Sequence, residues 1–217
     1  MNILTCNNAS FGYENKTVIC NVSFSIQEGD FLSVLGENGA GKSTLIKGLL
    51  GLLEPTKGSI EYNISRRMIG YLPQQVQVAK NFPATVLEVI ASGHATGARA
   101  LFGLGAVQKE QCLKSARMCG VDKLLKEPFC ALSAGQQQRV LMARAISAKR
   151  RLLILDEPMA SVDAGSSEEL YKILLDMQKS GVSIIMITHD IPAAIRCSTA
   201  FCTLITPICF LAPWRII

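Results

Sequence analysis

The run Gly36-Glu37-Asn38-Gly39-Ala40-Gly41-Lys42-Ser43-Thr44 has the makings of a phosphate cradle. It fits GxxxxGK[ST] in full, a pattern whose glycines let successive backbone N–H groups turn inward on anionic oxygens. The following helix would add its N-terminus to the same anion. Lys42 is then the side chain that reaches the β- and γ-phosphates, and the Ser43 hydroxyl is a ligand for Mg²⁺. Gly36, Asn38, Gly39, Ala40, Gly41 and Thr44 complete this candidate nucleotide site. A second cluster, Asp156-Glu157, ends an apolar run. Two adjacent carboxylates there suit a division of labour. Asp156 holds a hydrated Mg²⁺, and Glu157 orients or deprotonates an attacking water. His189 follows another apolar run, and at that position a γ-phosphate contact is the chemistry it could supply.

These residues need strands and helices to position them. Phe31–Leu35 is short, apolar and β-rich, so it reads as a buried strand running into the glycine loop. Thr44–Leu53 is helix-compatible, and strand-like pieces follow at Ser59–Tyr62 and Met68–Leu72. From about Asn81 to Ala148 the pattern is mainly helical. Leu152–Leu155 and Val182–Thr188 are further buried strands. Between them Leu170, Ile173, Leu174 and Met177 mark a helix face, with Ser166 and Glu169 at capping-box spacing and Gly181 at the end. Apolar strands alternating with helices imply a parallel sheet covered on both faces. In such sheets ligands gather at the carboxyl ends of the strands, where the cradle, Asp156-Glu157 and His189 all fall.

Composition narrows the class. The chain has 217 residues with 49% hydrophobic content, enough for one large domain with its own core. No run of about 18 uncharged apolar residues precedes the last few dozen positions, and the N-terminus lacks the pattern of a secretion signal. The eight cysteines form no CxxC pair and meet just two histidines, so they read as reduced thiols and not as a metal or disulfide framework. The net charge of +5 is not gathered into a run along the chain.

Another motif separates this chain from other phosphate-loop ATPases. Leu132-Ser133-Ala134-Gly135-Gln136 resembles the LSGGQ signature of the ABC ATPases and stands, as in that family, just before the carboxylate strand. Ser133 and Gln136 also have the spacing of a helix capping box, a purely structural alternative. Further stretches resemble family elements in the same order. Tyr13 resembles the aromatic that stacks on adenine. Gln74, in Tyr71-Leu72-Pro73-Gln74, resembles the glutamine linking Mg²⁺ and the attacking water to a helical lobe. Ser161-Val162-Asp163 resembles the loop that communicates across a dimer. Ala134 departs from the usual glycine.

The resemblance implies an α/β fold: a P-loop NTPase of ABC type, one nucleotide-binding domain over 1–217. Its parallel core sheet and N-terminal β-subdomain would occupy about 1–80 and 149–196, with a helical lobe inserted at about 81–148. It implies ATP and Mg²⁺ as cofactors, with Gln74, Glu157 and His189 catalytic and Ser43, Gln74 and Asp156 about the metal. A second copy of the chain would present Ser133, Ala134, Gly135, Gln136 and Asp163 in trans to the first copy's ATP. Asn81-Phe82-Pro83-Ala84-Thr85-Val86 is similar to a segment of the bacterial zinc and manganese uptake ATPases, where a permease helix docks. That implies membrane permease subunits, an extracellular metal-binding protein acting indirectly, no nucleic acid, and a place on the cytoplasmic face of the cell membrane. Iron-chelate or vitamin importers are the alternative. The span from Gln74 to Leu132 is too short for the coiled coil of a chromosome or repair ATPase. The last stretch, 197–217, carries Arg215 as its sole charge and is expected to be atypical or truncated, with a docked strand possible around Phe201–Thr206.

Overall fold

The computed structural model describes residues 1–14, 16–74, 83–94, 104–160, 162–205 and 208–212. Phe82, Ser161 and residues 213–217 therefore lie outside the described residues. The chain opens with a long antiparallel hairpin, β1 (Asn2–Tyr13) and β2 (Lys16–Gln27). β3 (Phe31–Gly36) leads into α1 (Lys42–Leu49), and β4 (Lys57–Tyr62) returns antiparallel to β1. β5 (Ile69–Leu72) precedes three helices, α2 (Val86–Ala91), α3 (Ala106–Met118) and α4 (Ala134–Ser147). β6 (Leu152–Asp156), α5 (Ala164–Lys179), β7 (Ser183–Ile187) and α6 (Ile191–Cys197) follow, then β8 (Ala200–Ile205) and β9 (Ile208–Ala212).

The strands form one sheet in the order β4-β1-β2-β9-β8-β3-β7-β6-β5. From β8 through β5 every pairing is parallel, and both faces of this part are covered. Alternation within each strand divides its side chains between two cores. Leu153 and Leu155 of β6 pack with Val86, Ile90, Val140 and Leu170 on one face. Leu152 and Ile154 pack with Phe11, Leu45 and Leu49 on the other. All five residues of β6 are buried, which is why its sequence is apolar without alternation.

Several local expectations need correction. α1 stops at Leu49, ahead of the expected Leu53, because Gly51 adopts a φ of 68° that ends the helix. The start of α5 is not set by a Ser166–Glu169 box. The helix begins at Ala164, where Asp163 is the cap and its Oδ1 accepts from the Ser166 backbone N–H at 3.0 Å. Glu169 turns instead to Arg139, 3.6 Å away. The long hairpin of β1 and β2 left no clear periodic signal, since β1 carries polar residues on both sides of its bulges. The strand expected near Phe201–Thr206 is β8, running parallel to β3 with Cys202 and Leu204 buried.

Candidate functional site

Parallel register aligns the ends of four strands. Val34 of β3 lies beside Ile187 of β7, Ile187 beside Asp156 of β6, and Leu155 of β6 beside Leu72 of β5. The segments leaving these ends must therefore emerge at one edge of the sheet. They carry the glycine loop, Gln74, Glu157 and His189.

In the loop, Gly39 and Gly41 sit at φ 86° and 92°, a left-handed region that side chains rarely adopt. Gly41 is constrained twice over: a Cβ there would come within 2.6 Å of Ile19 Cγ1, from β2 beneath the loop. Gly41 is also the cap residue of α1, so the backbone N–H groups of that helix start open toward the cleft. Lys42 Nζ donates to the carbonyls of Gly36 at 2.7 Å and Glu37 at 3.1 Å. The ammonium is thus held on the loop it would close around a phosphate.

A cleft of ≈ 280 Å³ brings Gly39, Lys42 and Ser43 of the loop to Gln74, Asp156 and Glu157. Asn38, Gly41 and Thr44 line it too, along with Val18 of β2. Val18 escaped the sequence reading, because nothing local places its strand, β2, beside the loop. Asp156 is 7% exposed, and burial, reinforced by the Glu157 charge, pushes its carboxyl up to about 6 against the pull of Lys42. Ser43 Oγ, the Asp156 carboxylate and the Gln74 side-chain oxygen are hard donors of the kind Mg²⁺ prefers. Among the described residues no cluster of three or more His, Cys, Asp or Glu could hold a metal by itself.

Glu157 has a φ of 46°, a strained conformation for a residue with a side chain, held by its N–H donating to Ile187 O at 2.9 Å. Its Oε2 accepts from Gln74 Nε2 at 3.0 Å and lies 3.5 Å from His189 Nδ1. The three candidate catalytic residues thus meet at one carboxylate. Tyr13 stands at the end of β1, 43% exposed, and its hydroxyl accepts from Lys47 of α1 at 3.3 Å.

The signature segment does not line this cleft. Ser133 caps α4: its Oγ accepts from Gln136 N–H at 3.3 Å, and Gln136 Oε1 accepts from Ser133 N–H at 3.0 Å. The capping box expected from the spacing is real, and Ser133 and Ala134 stay exposed at the head of the helix. Gly135 and Gln136 are half-buried there, and Asp163 is exposed at the head of α5.

Comparison with known proteins agrees with this layout. Residues 19–160 match the family described as ABC transporter. The zinc import ATP-binding protein ZnuC of Hydrogenovibrio crunogenus is 34% identical over 195 residues, covering 89% of this chain and 75% of that one. The manganese transport system ATP-binding protein MntB of Bacillus subtilis is 33% identical over 192 residues, covering 86% and 77%. A dimeric post-hydrolysis state of the ATP-binding cassette MJ0796, bound to ADP and Pi, superposes with a TM-score of 0.81 at 25% identity, over 95% of this chain and 96% of that one. A phosphate loop, a carboxylate strand end and a signature-headed helix, arranged on this sheet and matched over most of the chain, leave one assignment: the protein belongs to the ABC transporter family.

Proposed function

We propose that this chain is the ATP-binding and ATP-hydrolysing subunit of an ABC importer for a divalent metal ion, zinc or manganese. The observation that carries the hydrolytic part is the meeting of Gln74 and His189 on Glu157, in the edge that also presents Lys42. The names of the relatives carry the metal part. Lys42 exchanges its two carbonyls for β- and γ-phosphate oxygens, a stronger charge-assisted contact. Ser43, Asp156 and Gln74 would hold Mg²⁺, which neutralises charge on the phosphates. Glu157 orients a water in line with the γ-phosphorus and takes its proton as the bond to the β-bridging oxygen breaks. His189 steadies the γ-phosphate from the neighbouring strand end.

The exposed head of α4 supports a two-copy arrangement in which Ser133, Ala134, Gly135 and Gln136 of one copy close the other's ATP, with Asp163 beside them. Integral permease subunits would receive that motion at the cytoplasmic membrane face, and an extracellular binding protein would deliver the metal. No described helix is long and apolar enough to cross a membrane. The test is co-purification with a permease in lipid, followed by ATPase assays with metal-loaded binding protein. Stimulation by zinc or manganese supports the reading, whereas stimulation by an iron chelate or a vitamin replaces the substrate class. Absence of Mg²⁺-dependent hydrolysis by the assembled complex overturns it.

A further inference from the structure

We propose that Lys47 is a positioning residue of the nucleotide site, pinning Tyr13 as the platform for the base. This rests on the reading of Tyr13 as the residue that stacks on adenine. Lys47 Nζ donates to the Tyr13 hydroxyl at 3.3 Å and lies 5.4 Å from the ring centroid. With those two distances the ammonium sits beyond the hydroxyl end of the ring and not above its middle, so a ring face stays open for a stacked base. The hydrogen bond from Lys47, and after it one with Thr44, holds the phenol below its ordinary range, a sign that the hydroxyl is committed to α1.

The tether joins two elements that would grip opposite ends of one ligand. α1 begins at Lys42 with the phosphate loop, and Lys47 stands five positions on, roughly 7–8 Å along the helix axis. Tyr13 belongs to β1, which reaches α1 through packing and not through chain connection. In ATP the distance from triphosphate to base is chemically bounded, so the spacing of α1 from the end of β1 decides whether both contacts form together. An exposed tyrosine without a tether would have to freeze its ring on binding, at an entropic cost. Lys47 fixes it beforehand.

The experiment titrates the full-length chain, in EDTA to prevent turnover, with ATP and separately with inorganic tripolyphosphate, which has no base. Lys47→Met should weaken ATP roughly threefold to tenfold, the worth of one exposed hydrogen bond, and leave tripolyphosphate unchanged. Lys47→Arg keeps a donor and should recover most of the loss. Tyr13→Phe, which keeps the ring but gives up the Thr44 bond as well, should lose at least as much as Lys47→Met, and the double variant should lose no more than Tyr13→Phe. Retained tripolyphosphate binding reports an intact loop in every variant. Equal weakening of both ligands, no weakening of ATP, or failure of Lys47→Arg to recover would overturn the role of Lys47. Tyr13→Ala binding ATP as well as the parent chain would instead overturn the base-platform reading on which it rests.

Discussion

Gln74 donates from Nε2 to Glu157 Oε2 at 3.0 Å, across 83 positions of chain. The same oxygen is 3.5 Å from His189 Nδ1, so residues from the ends of β5, β6 and β7 converge on one carboxylate. Glu157 reaches them from a left-handed backbone position that an ordinary strand exit would not need.

Glu157→Gln removes the proposed proton acceptor while keeping the shape of the side chain. Turnover should fall by about 10²-fold or more with ATP binding retained, and ATP-bound dimers should accumulate on size exclusion. Near-normal phosphate release would refute the assignment. Lys42→Ala should act on affinity itself, because it deletes the proposed charge-assisted phosphate contact.

The two glycines of the loop separate conformational strain from collision. Gly39→Ala meets nothing within 4 Å and carries the strain of φ 86° alone. Gly41→Ala adds a contact at 2.6 Å with Ile19, so it should be the worse of the two in both melting temperature and ATP affinity. Strain of this kind costs on the order of 1–3 kcal/mol. Ile19→Ala in the Gly41→Ala background should recover part of the lost ATP affinity but not the melting temperature, because Ile19 is itself buried; ATP titration and a calorimetric melt of the four proteins decide it.

Asp163 rather than Ser166 should carry the start of α5. Asp163→Ala should lower the denaturation midpoint more than Ser166→Ala does, because Ser166→Ala keeps the backbone N–H that donates to Asp163 Oδ1. Hydrogen bonds with Ser166 hold the Asp163 carboxyl below its ordinary value. Its contribution is therefore present above the unfolded-state value and is lost as pH falls through the lower folded one. Urea melts at neutral pH and near pH 3 should show the Asp163→Ala difference shrinking in acid.

The basic triplet Lys149-Arg150-Arg151 meets the basic pair Arg66-Arg67 at one contact. β5 pairs with β6, which brings Arg150 to Arg67 and the Arg151 backbone to Met68. Arg150 donates to the carbonyls of Arg67 and Gly93, and burial followed by the Arg144 charge lowers its guanidinium pKa. Arg150→Met should destabilise by about 1–3 kcal/mol through the carbonyls it strands. Added salt should stabilise the parent chain more than this variant, because it screens the repulsion from Arg144. Equal salt responses in paired thermal melts would contradict this.

The sequence by itself determined the local chemistry. A turn made by Gly39 and Gly41, a lysine and a hydroxyl at the next two positions, and a helix after them need no distant partner to be recognised. The same holds for Asp156-Glu157 at the end of an apolar run and for the Ser133–Gln136 cap, since each is a relation between near neighbours in the chain. Tertiary structure decided what lies next to what. Register between strands brought Gln74 to Glu157 and Arg150 to Arg67. Packing of β2 under the loop made Gly41 obligatory and put Val18 in the cleft, and the approach of β1 to α1 gave Tyr13 to Lys47. β8 joined the sheet beside β3, although its sequence also suited a departure from the family. Such contacts depend on how distant segments bury their apolar faces together, and a local pattern holds no record of that choice.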